Sequence, residues 1–404
     1  MSVPFRPIVS ALLRNRAGAL LVAAQIAIAL AVLANAVYIV KGRVERIGRP
    51  TGIDVENIFV VSVTGFAKKF NYSAMLDEDI AFLQSLPGVI AVTATNSVPL
   101  SGGGSSDFVS TVPNAKVSSG QLVNYFEWNE RGADALGLKL LAGRWFTSAE
   151  VQPPPQLFGS YSGPIVVTQQ YADRLFPKGD ALGKVVYESR GSPLTIIGIV
   201  DHMLGSWLSP GVPTDIMYLP RRPAGPSTRY LVRTQPGMRD QLMRKVEAEL
   251  PPRNSGRAVN SVRTLSLFKA RSYLSDRNMG IYLVTVTALL LAITSLGIFG
   301  LATFNVSTRT KQVGTRRAVG ARRRDIVAHF LVENWMITTG GVVAGCLLAL
   351  VAGHVLSREY DLPRVDLYYI LGGVLVMWAI GVAAAWHPSR RAARISPALA
   401  TRTV

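Results

Sequence analysis

A short segment of the chain, TRTKQVGTRRAVGARRRDI from Thr308 to Ile326, combines seven arginines and lysines with a single acid, Asp325. Such a density of cations is suited to binding anions or a protein surface, and nucleic-acid phosphates and anionic lipid headgroups are the usual anionic partners. Gly314 and Gly320 interrupt the basic run, and glycine permits a turn or a close backbone approach. The charge alone does not identify the partner, so the segments on either side of the patch must be considered.

Other residues that could do chemistry are isolated along the sequence. Asp201-His202 has no companion nucleophile motif, which favours a surface turn after a buried strand. The tract SGGGSSD, Ser101 to Asp107, lacks the lysine and following helix of a phosphate-binding P-loop, which favours a flexible linker. The histidines have no partners at metal-ligand spacing: His202, His329, His354 and His387. We therefore expect no active site, no metal, no bound cofactor and no enzymatic activity in this chain.

The overall composition indicates a membrane protein with a water-exposed part. Hydrophobic residues make up 49% of the 404 residues and charged residues 17%, with a mean hydropathy of +0.27. This is too apolar for an ordinary soluble protein and too polar for a wholly embedded one. The net charge of +18 permits a nucleic-acid partner only if the position of the charge agrees. The single cysteine, Cys346, excludes an intramolecular disulfide and lies in an apolar run.

Four apolar segments are long enough to cross a hydrocarbon core of about 30 Å, which takes roughly 20 helical residues. They are residues 17–40, 281–304, 330–356 and 367–386. The first resembles a signal peptide, because Arg14 and Arg16 precede it and Ala34-Asn35-Ala36 has the form of a cleavage site. Its apolar run exceeds the roughly 7–15 residues typical of such a peptide, so we predict a retained anchor.

The distribution of basic residues predicts the topology, because positive residues near the ends of spans stay cytoplasmic. The N-terminal segment 1–16, the loop 305–329 and the tail 387–404 are all basic. Four spans place all three on the cytoplasmic side and leave residues 41–280 and the link 357–366 outside. The basic patch would therefore face the inner side of a membrane, where a protein or lipid partner is favoured over nucleic acid.

The large outer region alternates strand and helix signals at both of its ends. At one end we predict strand Asn57 to Gly65, a helix from Ser73 to Leu86 with Ser73 as its cap, and a strand after Pro87-Gly88. The other end repeats this order, with Tyr230 to Arg233, Met238 to Leu250 and Ala258 to Val262. Two β-α-β units predict a split, ferredoxin-like layer from residues 41–103 and 214–265. Residues 104–213 then form an inserted, mostly β subdomain, and 151–163 an exposed loop that is a candidate protein contact.

The order of these elements and several local strings resemble the MacB/FtsX-type (type VII) ABC transporter permeases. The basic patch, KQVGTRRAVGARRRDI, is similar to the cytoplasmic signature of that family. The tail, HPSRRAARISPALATR, is similar to the family's Pro-x-Arg-Arg-Ala-Ala-Arg-Ile-x-Pro ending. Within the outer region, GLKLLAGRWFTSAE, IVVTQQYADRLFPKGDALGKVV and IIGIVDHM resemble strings of the MacB-type periplasmic core. Together and in this order, the strings are highly specific.

The resemblance implies a membrane fold of four transmembrane helices with an α/β plus β periplasmic domain of porter-like and sabre-like subdomains. It implies a bacterial inner-membrane permease with cytoplasmic termini that couples ATP hydrolysis to periplasmic motion, a mode called mechanotransmission. The implied partners are a dimer of separate ABC ATPases holding ATP and Mg²⁺, a second permease subunit, the lipid bilayer, a periplasmic adaptor and an outer-membrane duct. The implied outcome is efflux of a small molecule or peptide. A lipoprotein-releasing permease and an FtsX-like regulator of a cell-wall hydrolase remain alternatives.

The resemblance also assigns candidate residues for coupling to the ATPase. They are Lys311, Gln312, Val313, Gly314, Arg316, Arg317, Ala318, Gly320 and Ala321, with a tail motif of Pro388, Arg390, Arg391, Arg394 and Pro397. We expect a short helix from Thr308 to Val319, in which Gly314 lets the backbone approach the partner. The family's usual glutamate is Gln312 here, so the position forms a neutral hydrogen bond, or a partner permease supplies the acid.

A second expectation concerns transmission between the two sides. The segment 266–280 has helical character and runs into the second span, with Gly280 as its only strong breaker. We predict one continuous stalk helix, which would act as a rigid rod rising about 1.5 Å per residue.

Overall fold

The computed structural model describes residues 16–67, 71–116, 119–153, 160–208, 215–223, 225–360 and 365–395. The chain divides into a helical unit, Met1–Gly48 with Asp276–Val404, and an inserted unit, Arg49–Ser275. The predictions for residues 1–15, for most of the 151–163 loop and for the tail after residue 395, including Pro397, lie outside the described residues.

The helices, in chain order, are α1 (Arg16–Ile47), α2 (Tyr72–Ser85), α3 (Gly132–Leu136), α4 (Gln169–Leu175), α5 (Arg239–Glu249), α6 (Leu265–Ser272), α7 (Leu274–Thr308), α8 (Thr310–Ala318), α9 (Arg323–Tyr360) and α10 (Leu367–Ala392). The strands are β1 (Ile58–Gly65), β2 (Val89–Thr95), β3 (Ser105–Ser110), β4 (Gln121–Trp128), β5 (Leu140–Gly143), β6 (Gly163–Thr168), β7 (Val185–Glu188), β8 (Pro193–Val200), β9 (Ile216–Pro220), β10 (Ser227–Thr234) and β11 (Arg257–Thr264).

The helical unit confirms the four predicted spans. Within the described residues, α1, α7, α9 and α10 are the helices long and apolar enough to cross a membrane. Each continues beyond its predicted apolar segment at one or both ends, because backbone hydrogen bonding does not stop where the hydrocarbon does. Helix α7 is the least buried of the four, with 17% of its apolar window buried against 39%, 39% and 28% for α1, α9 and α10.

Small residues and amide side chains hold α9 against its neighbours. A methyl group added to Gly341 would lie 2.7 Å from the Ala23 carbonyl oxygen of α1, so the two backbones are in close contact. Gly345, four residues later, meets α1 at the same face, which is the small-xxx-small pattern of membrane helix pairs. On its other side, the Asn334 amide donates to the carbonyl of Gly381 in α10 at 2.9 Å. These contacts make α1, α9 and α10 the packed core of the helical unit.

The first part of the inserted unit is a four-stranded antiparallel sheet in the order β11-β1-β10-β2. With α2 and α5 it has the ferredoxin-like order that the two β-α-β signals predict. The predicted cap is wrong, because α2 begins at Tyr72 and the Asn71 side chain accepts from the Ala74 N–H at 3.1 Å. Asp79, in the middle of α2, is buried, where Arg257 (2.8 Å) and the Tyr230 hydroxyl (2.9 Å) bind its carboxylate.

The second part is a seven-stranded sheet in the order β5-β8-β6-β9-β4-β3-β7, and β7 also pairs with β8. That extra pairing closes six of the strands into a ring, with β5 attached at its side. Strand β9 pairs parallel with β4 and antiparallel with β6, so the predicted boundary at residue 213 is wrong and must follow Pro220. The glycine tract is also not a free linker along its whole length, because Ser105–Ser110 forms β3.

The two sheets of the inserted unit share one core. Val60 and Leu231 of the four-stranded sheet pack in the same cluster as Phe126, Trp128 and Tyr218 of the seven-stranded sheet. The rings of Trp128 and Tyr218 stack with centroids 4.7 Å apart. The indole N–H of Trp128 donates to a threonine hydroxyl of β2 at 2.9 Å, which adds a polar contact between the sheets. The inserted unit is therefore packed as one body.

The predicted continuous stalk helix is interrupted, but not at Gly280. Helix α6 ends at Ser272, and Tyr273 has non-helical backbone angles (φ −94°, ψ 3°) before α7 begins at Leu274. The Ser272 hydroxyl donates to the carbonyl of Leu100, which fixes the end of α6 to the inserted unit. Gly280 lies inside α7, whose helical hydrogen bonding continues through it. The break falls close to the boundary between the two units, which lies after Ser275.

Candidate coupling surface

The basic patch forms the short helix α8, which directly follows α7. Arg309 leaves the helical conformation (φ −107°, ψ 16°) and separates the two helices. The Thr308 hydroxyl donates to the Phe304 carbonyl at 3.0 Å, and the Thr310 hydroxyl donates to the Ser307 carbonyl at 2.9 Å. The second bond occupies a carbonyl in the last turn of α7, where backbone acceptors lack an intrahelical partner, so the break at Arg309 is locally satisfied.

One face of α8 packs against the helical unit itself. Val313 is buried in a cluster with Val306 of α7, Phe330 of α9 and Ala392 of α10. Gly314 is buried on the same face. The expectation that Gly314 brings the backbone close to a partner is therefore wrong, because its surroundings belong to this chain.

The opposite face of α8 is exposed and basic. Of the nine candidate coupling residues, five are exposed: Lys311, Gln312, Arg316, Ala318 and Gly320. Arg317 and Ala321 are half-buried, and Val313 and Gly314 are buried. The structure thus brings all nine together but presents only some of them outward. Val319, which the sequence pattern did not single out, is 84% exposed and places a large apolar side chain beside the basic ones.

The turn predicted at Gly320-Ala321 is present. Gly320 has φ +102°, a backbone conformation that favours glycine, and the next helix begins three residues later at Arg323. The Asp325 carboxylate accepts from the Arg322 N–H at 3.0 Å and so caps the start of α9. The acid within the basic patch therefore has a structural role at a helix N-terminus.

The tail lies beside α8 and is held there by Arg317. The Arg317 guanidinium donates to the carbonyl of Ile395 at 2.6 Å. Pro388 is buried within α10, and Ser389 donates its hydroxyl to the Ala385 carbonyl at 2.7 Å. The remaining described members of the tail motif are exposed, namely Arg390, Arg391 and Arg394. The two sequence motifs thus form one surface in the helical unit.

An ion pair that the motif analysis missed fixes the junction of α7 and α8. The Arg309 guanidinium donates to the Glu333 carboxylate of α9 at 2.9 Å, and the side chain of Glu333 is 3% exposed. An acid inside a predicted span is a functional candidate by its position alone, and this signal could have identified Glu333 from the sequence. Its partner could not be identified from spacing, because the two residues are 24 positions apart.

A second ion pair holds the opposite end of α7. Asp276, in the first turn of α7, binds Arg43 of α1. Its carboxylate also lies 3.4 Å from the guanidinium of Arg46, which is in α1 too. The side chain of Asp276 is 13% exposed. Helix α7 is therefore fixed by ion pairs at both ends, although its middle is the least buried of the four spans.

Chemical sites of other kinds are not indicated. Within the described ranges, no group of three or more histidine, cysteine, aspartate or glutamate side chains lies close enough to hold a metal ion. Cys346 is a half-buried free cysteine in α9. Asp201 and His202 lie 3.8 Å apart, and the His202 ring contacts the carbonyl of Pro50 at 3.1 Å. These two side chains are partly exposed and sit after β8, as a surface turn does.

Comparison with known proteins matches both units of the chain. The model for the MacB-like periplasmic core domain matches residues 20–249, and the model for the FtsX-like permease C-terminal region matches residues 284–397. The macrolide export ATP-binding/permease protein MacB of Neisseria gonorrhoeae is 26% identical over 284 residues, which are 66% of this chain and 42% of that protein. The chain thus spans about two fifths of that relative.

Two further relatives were compared. The pyoverdine export ATP-binding/permease protein PvdT of Pseudomonas fluorescens is 32% identical over 126 residues, which are 31% of this chain and 19% of that protein. The crystal structure of the periplasmic region of MacB from Actinobacillus actinomycetemcomitans superposes with a TM-score of 0.34 at 16% identity, covering 56% of this chain and 97% of that one.

Proposed function

The chain belongs to the family of MacB-like, FtsX-like ABC transporter permeases, and we propose from this premise that it is the membrane subunit of an efflux transporter. In this proposal, a separate ABC ATPase holds ATP and Mg²⁺ and docks on the exposed face of α8. Its closing motion passes along α7 to the inserted unit, and the movement of that unit expels a small molecule or peptide. The chain itself hydrolyses nothing.

The exposed face of α8 is the observation that carries this proposal. Arginine is enriched among the few residues that provide most of the binding energy at protein interfaces, and an exposed apolar side chain is stabilised when a partner removes it from water. Arg316 and Val319 supply both types on one short segment. The buried Val313 and the ion pair of Arg309 hold this segment rigidly, so binding would not have to order it first.

The geometry of α7 supports a mechanical path. Its 35 residues make a rod of about 52 Å, longer than the hydrocarbon core. Because few of its side chains are buried in the chain, a tilt of α7 would disrupt little packing. Because Arg309 and Asp276 are paired to α9 and α1, the two ends would move with defined neighbours rather than freely.

The proposed orientation places α8, both termini and the tail in the bacterial cytoplasm and the inserted unit outside the inner membrane, as the basic residues predict. Two permease subunits would assemble above two ATPases. Gln312 is exposed and neutral, so it would bind the ATPase by a hydrogen bond, or the second subunit of a heterodimer would carry the acid. A periplasmic adaptor and an outer-membrane duct would complete the export route.

Efflux is favoured over the two other family activities. The names of the relatives describe macrolide and pyoverdine export, and those activities come to this chain only as part of the proposal. The inserted unit carries a complete seven-stranded sheet beside the ferredoxin-like one, whereas FtsX-like regulators of cell-wall hydrolases are expected to have a smaller outer domain.

Charge reversal on the exposed face of α8 tests the docking. In the double variant Lys311→Glu/Arg316→Glu, binding to the proposed ABC ATPase should fall by more than tenfold, since losing one partner of a charge pair that is buried in an interface costs about 2–5 kcal/mol. Co-purification and stimulation of ATP hydrolysis measure this. Arg358→Glu reverses one exposed positive charge, half the change of the double variant, at the far end of α9 and should leave both intact.

Arg317 is unsuitable for this test, because its side chain holds the tail and its loss would disturb the fold locally. Full ATPase binding and stimulation by the double variant would overturn the assignment of α8 as the docking element.

A further inference from the structure

A groove lined by tryptophan lies between α9 and α10 of the helical unit. Its volume is about 590 Å³, and its lining residues are Trp335, Trp378, Ala379, Val382, Ala383 and Trp386. The rings of Trp335 and Trp378 face each other with centroids 6.1 Å apart. The lining therefore combines three indole rings with small side chains, and Ala379 and Ala383 are here called the floor of the groove.

The end of the groove nearest to α8 is positively charged. The Arg390 guanidinium lies over the ring of Trp386, 4.8 Å from its centroid. Arg391 and Arg394 follow on the same helix end, and the sequence of α10 from Leu367 to Ala392 contains no acid. The apolar groove thus ends beside a cluster of arginines on α10.

We propose that this groove is a binding site for an anionic phospholipid, with one acyl chain lying against the exposed faces of the indole rings and the phosphate at Arg390. From Trp386 to Trp378 the helix rises about 12 Å, most of the roughly 15 Å depth of one leaflet of the hydrocarbon core. Arginine near a membrane surface attracts anionic lipid, and an aromatic ring beneath the guanidinium keeps it at the headgroup level.

The charge at the end of the groove favours a lipid over a partner helix. An acyl chain that lies against Ala379 and Ala383 places a phosphate at Arg390, whereas an apolar partner helix would bring no anion to that arginine.

The test uses the tryptophans as reporters. Three of the six tryptophans line the groove, and the other three, Trp128, Trp145 and Trp207, belong to the inserted unit. The full chain in bilayers would be titrated with brominated phosphatidylglycerol or brominated phosphatidylcholine, whose chains quench indole fluorescence on contact. Half-maximal quenching should require about fivefold less phosphatidylglycerol than phosphatidylcholine, the preference expected for one arginine near the membrane surface.

Three variants distinguish lipid binding in the groove from a general attraction of anionic lipid to positive charge. Arg390→Gln should abolish the preference, whereas Arg391→Gln, which removes the same charge one residue later, should retain most of it. Ala379→Leu/Ala383→Leu fills the floor while keeping every arginine, and it should also abolish the preference.

Three results would overturn the proposal. Equal quenching by the two lipids in the unaltered chain would mean ordinary boundary lipid. Weak quenching by both would mean that protein covers the groove. A preference that survives in both Arg390→Gln and the filled-floor variant would place the lipid elsewhere. None of these results depends on ATPase docking, so the proposed function and this site can fail separately.

Discussion

The two ends of α7 are held by ion pairs of different construction. At the end beside α8, the carboxylate belongs to Glu333 of α9, is almost fully buried and has Arg309 as its partner. At the opposite end, the carboxylate is Asp276 of α7 itself and faces two arginines of α1, whose side chains are 18% and 25% exposed. The Glu333 carboxylate therefore depends on one arginine in an apolar environment. The Asp276 carboxylate has a second arginine within reach and is more exposed to solvent. We infer that the end beside α8 is the more rigidly fixed of the two.

The largest effect is expected from Arg309→Ala. It leaves the buried carboxylate of Glu333 without its cation, and breaking a buried pair in this way costs about 3–5 kcal/mol. The variant should unfold at a markedly lower temperature in detergent or nanodiscs and should lose ATPase stimulation.

The neutral pair Arg309→Gln/Glu333→Gln is the matched control for that variant. Because it removes both charges together, most of the stability should return. If Arg309→Ala were as stable as the unaltered chain, the ion pair would not be what fixes α8.

A smaller effect is expected from Asp276→Asn at the opposite end. The two arginines that lose their anionic partner are partly solvated. The free energy of unfolding should therefore fall by about 1–2 kcal/mol, between the values for surface and buried pairs. Thermal unfolding under the same conditions measures it. Arg46→Gln, which removes only the 3.4 Å contact, should cost less than Arg43→Gln. A loss for Asp276→Asn as large as that for Arg309→Ala would contradict the difference between the ends.

The smallest effect is expected from Gly280→Ala, four residues after Asp276. An added methyl group meets no atom within 4 Å, and alanine stabilises a helix interior over glycine by about 0.5–1 kcal/mol. The variant should be slightly more stable, with unchanged ATPase stimulation. Increased stability together with reduced stimulation would show that Gly280 serves as a hinge, contrary to a rigid α7.

The elements that local sequence determines were predictable. The four spans follow from apolar length, and the β-α-β units follow from turn residues such as Pro87-Gly88. What failed depended on distant contacts. Tyr273 interrupts the stalk because Ser272 is bound to Leu100, which is 172 residues away. Strand β9 pairs with β4, about 90 residues earlier, and no signal near residue 213 reports that pairing.

The candidate site shows the same limit. Its position, its helix and its turn at Gly320 follow from composition and glycine placement, since a positive φ requires no distant partner. The orientation of α8 could not be predicted in this way, because Val313 and Gly314 face inward only when α10 supplies Ala392 and its neighbours. The role of Arg309 likewise depends on Glu333, one helix later. Sequence therefore located the surface but could not tell which residues it presents.

Coupling along the proposed path requires α7 to move as one rigid rod between its two fixed ends. Pulsed electron paramagnetic resonance between spin labels at Met279 and Phe304, both exposed positions of α7, measures this directly. The 25 residue-to-residue steps from one to the other predict backbone positions about 38 Å apart along the helix. With the ABC ATPase bound, we expect one narrow distance distribution that is the same without nucleotide and with trapped ATP. A distance that shortens or splits when ATP is trapped would contradict the account, because the helix would then bend instead of transmitting the motion.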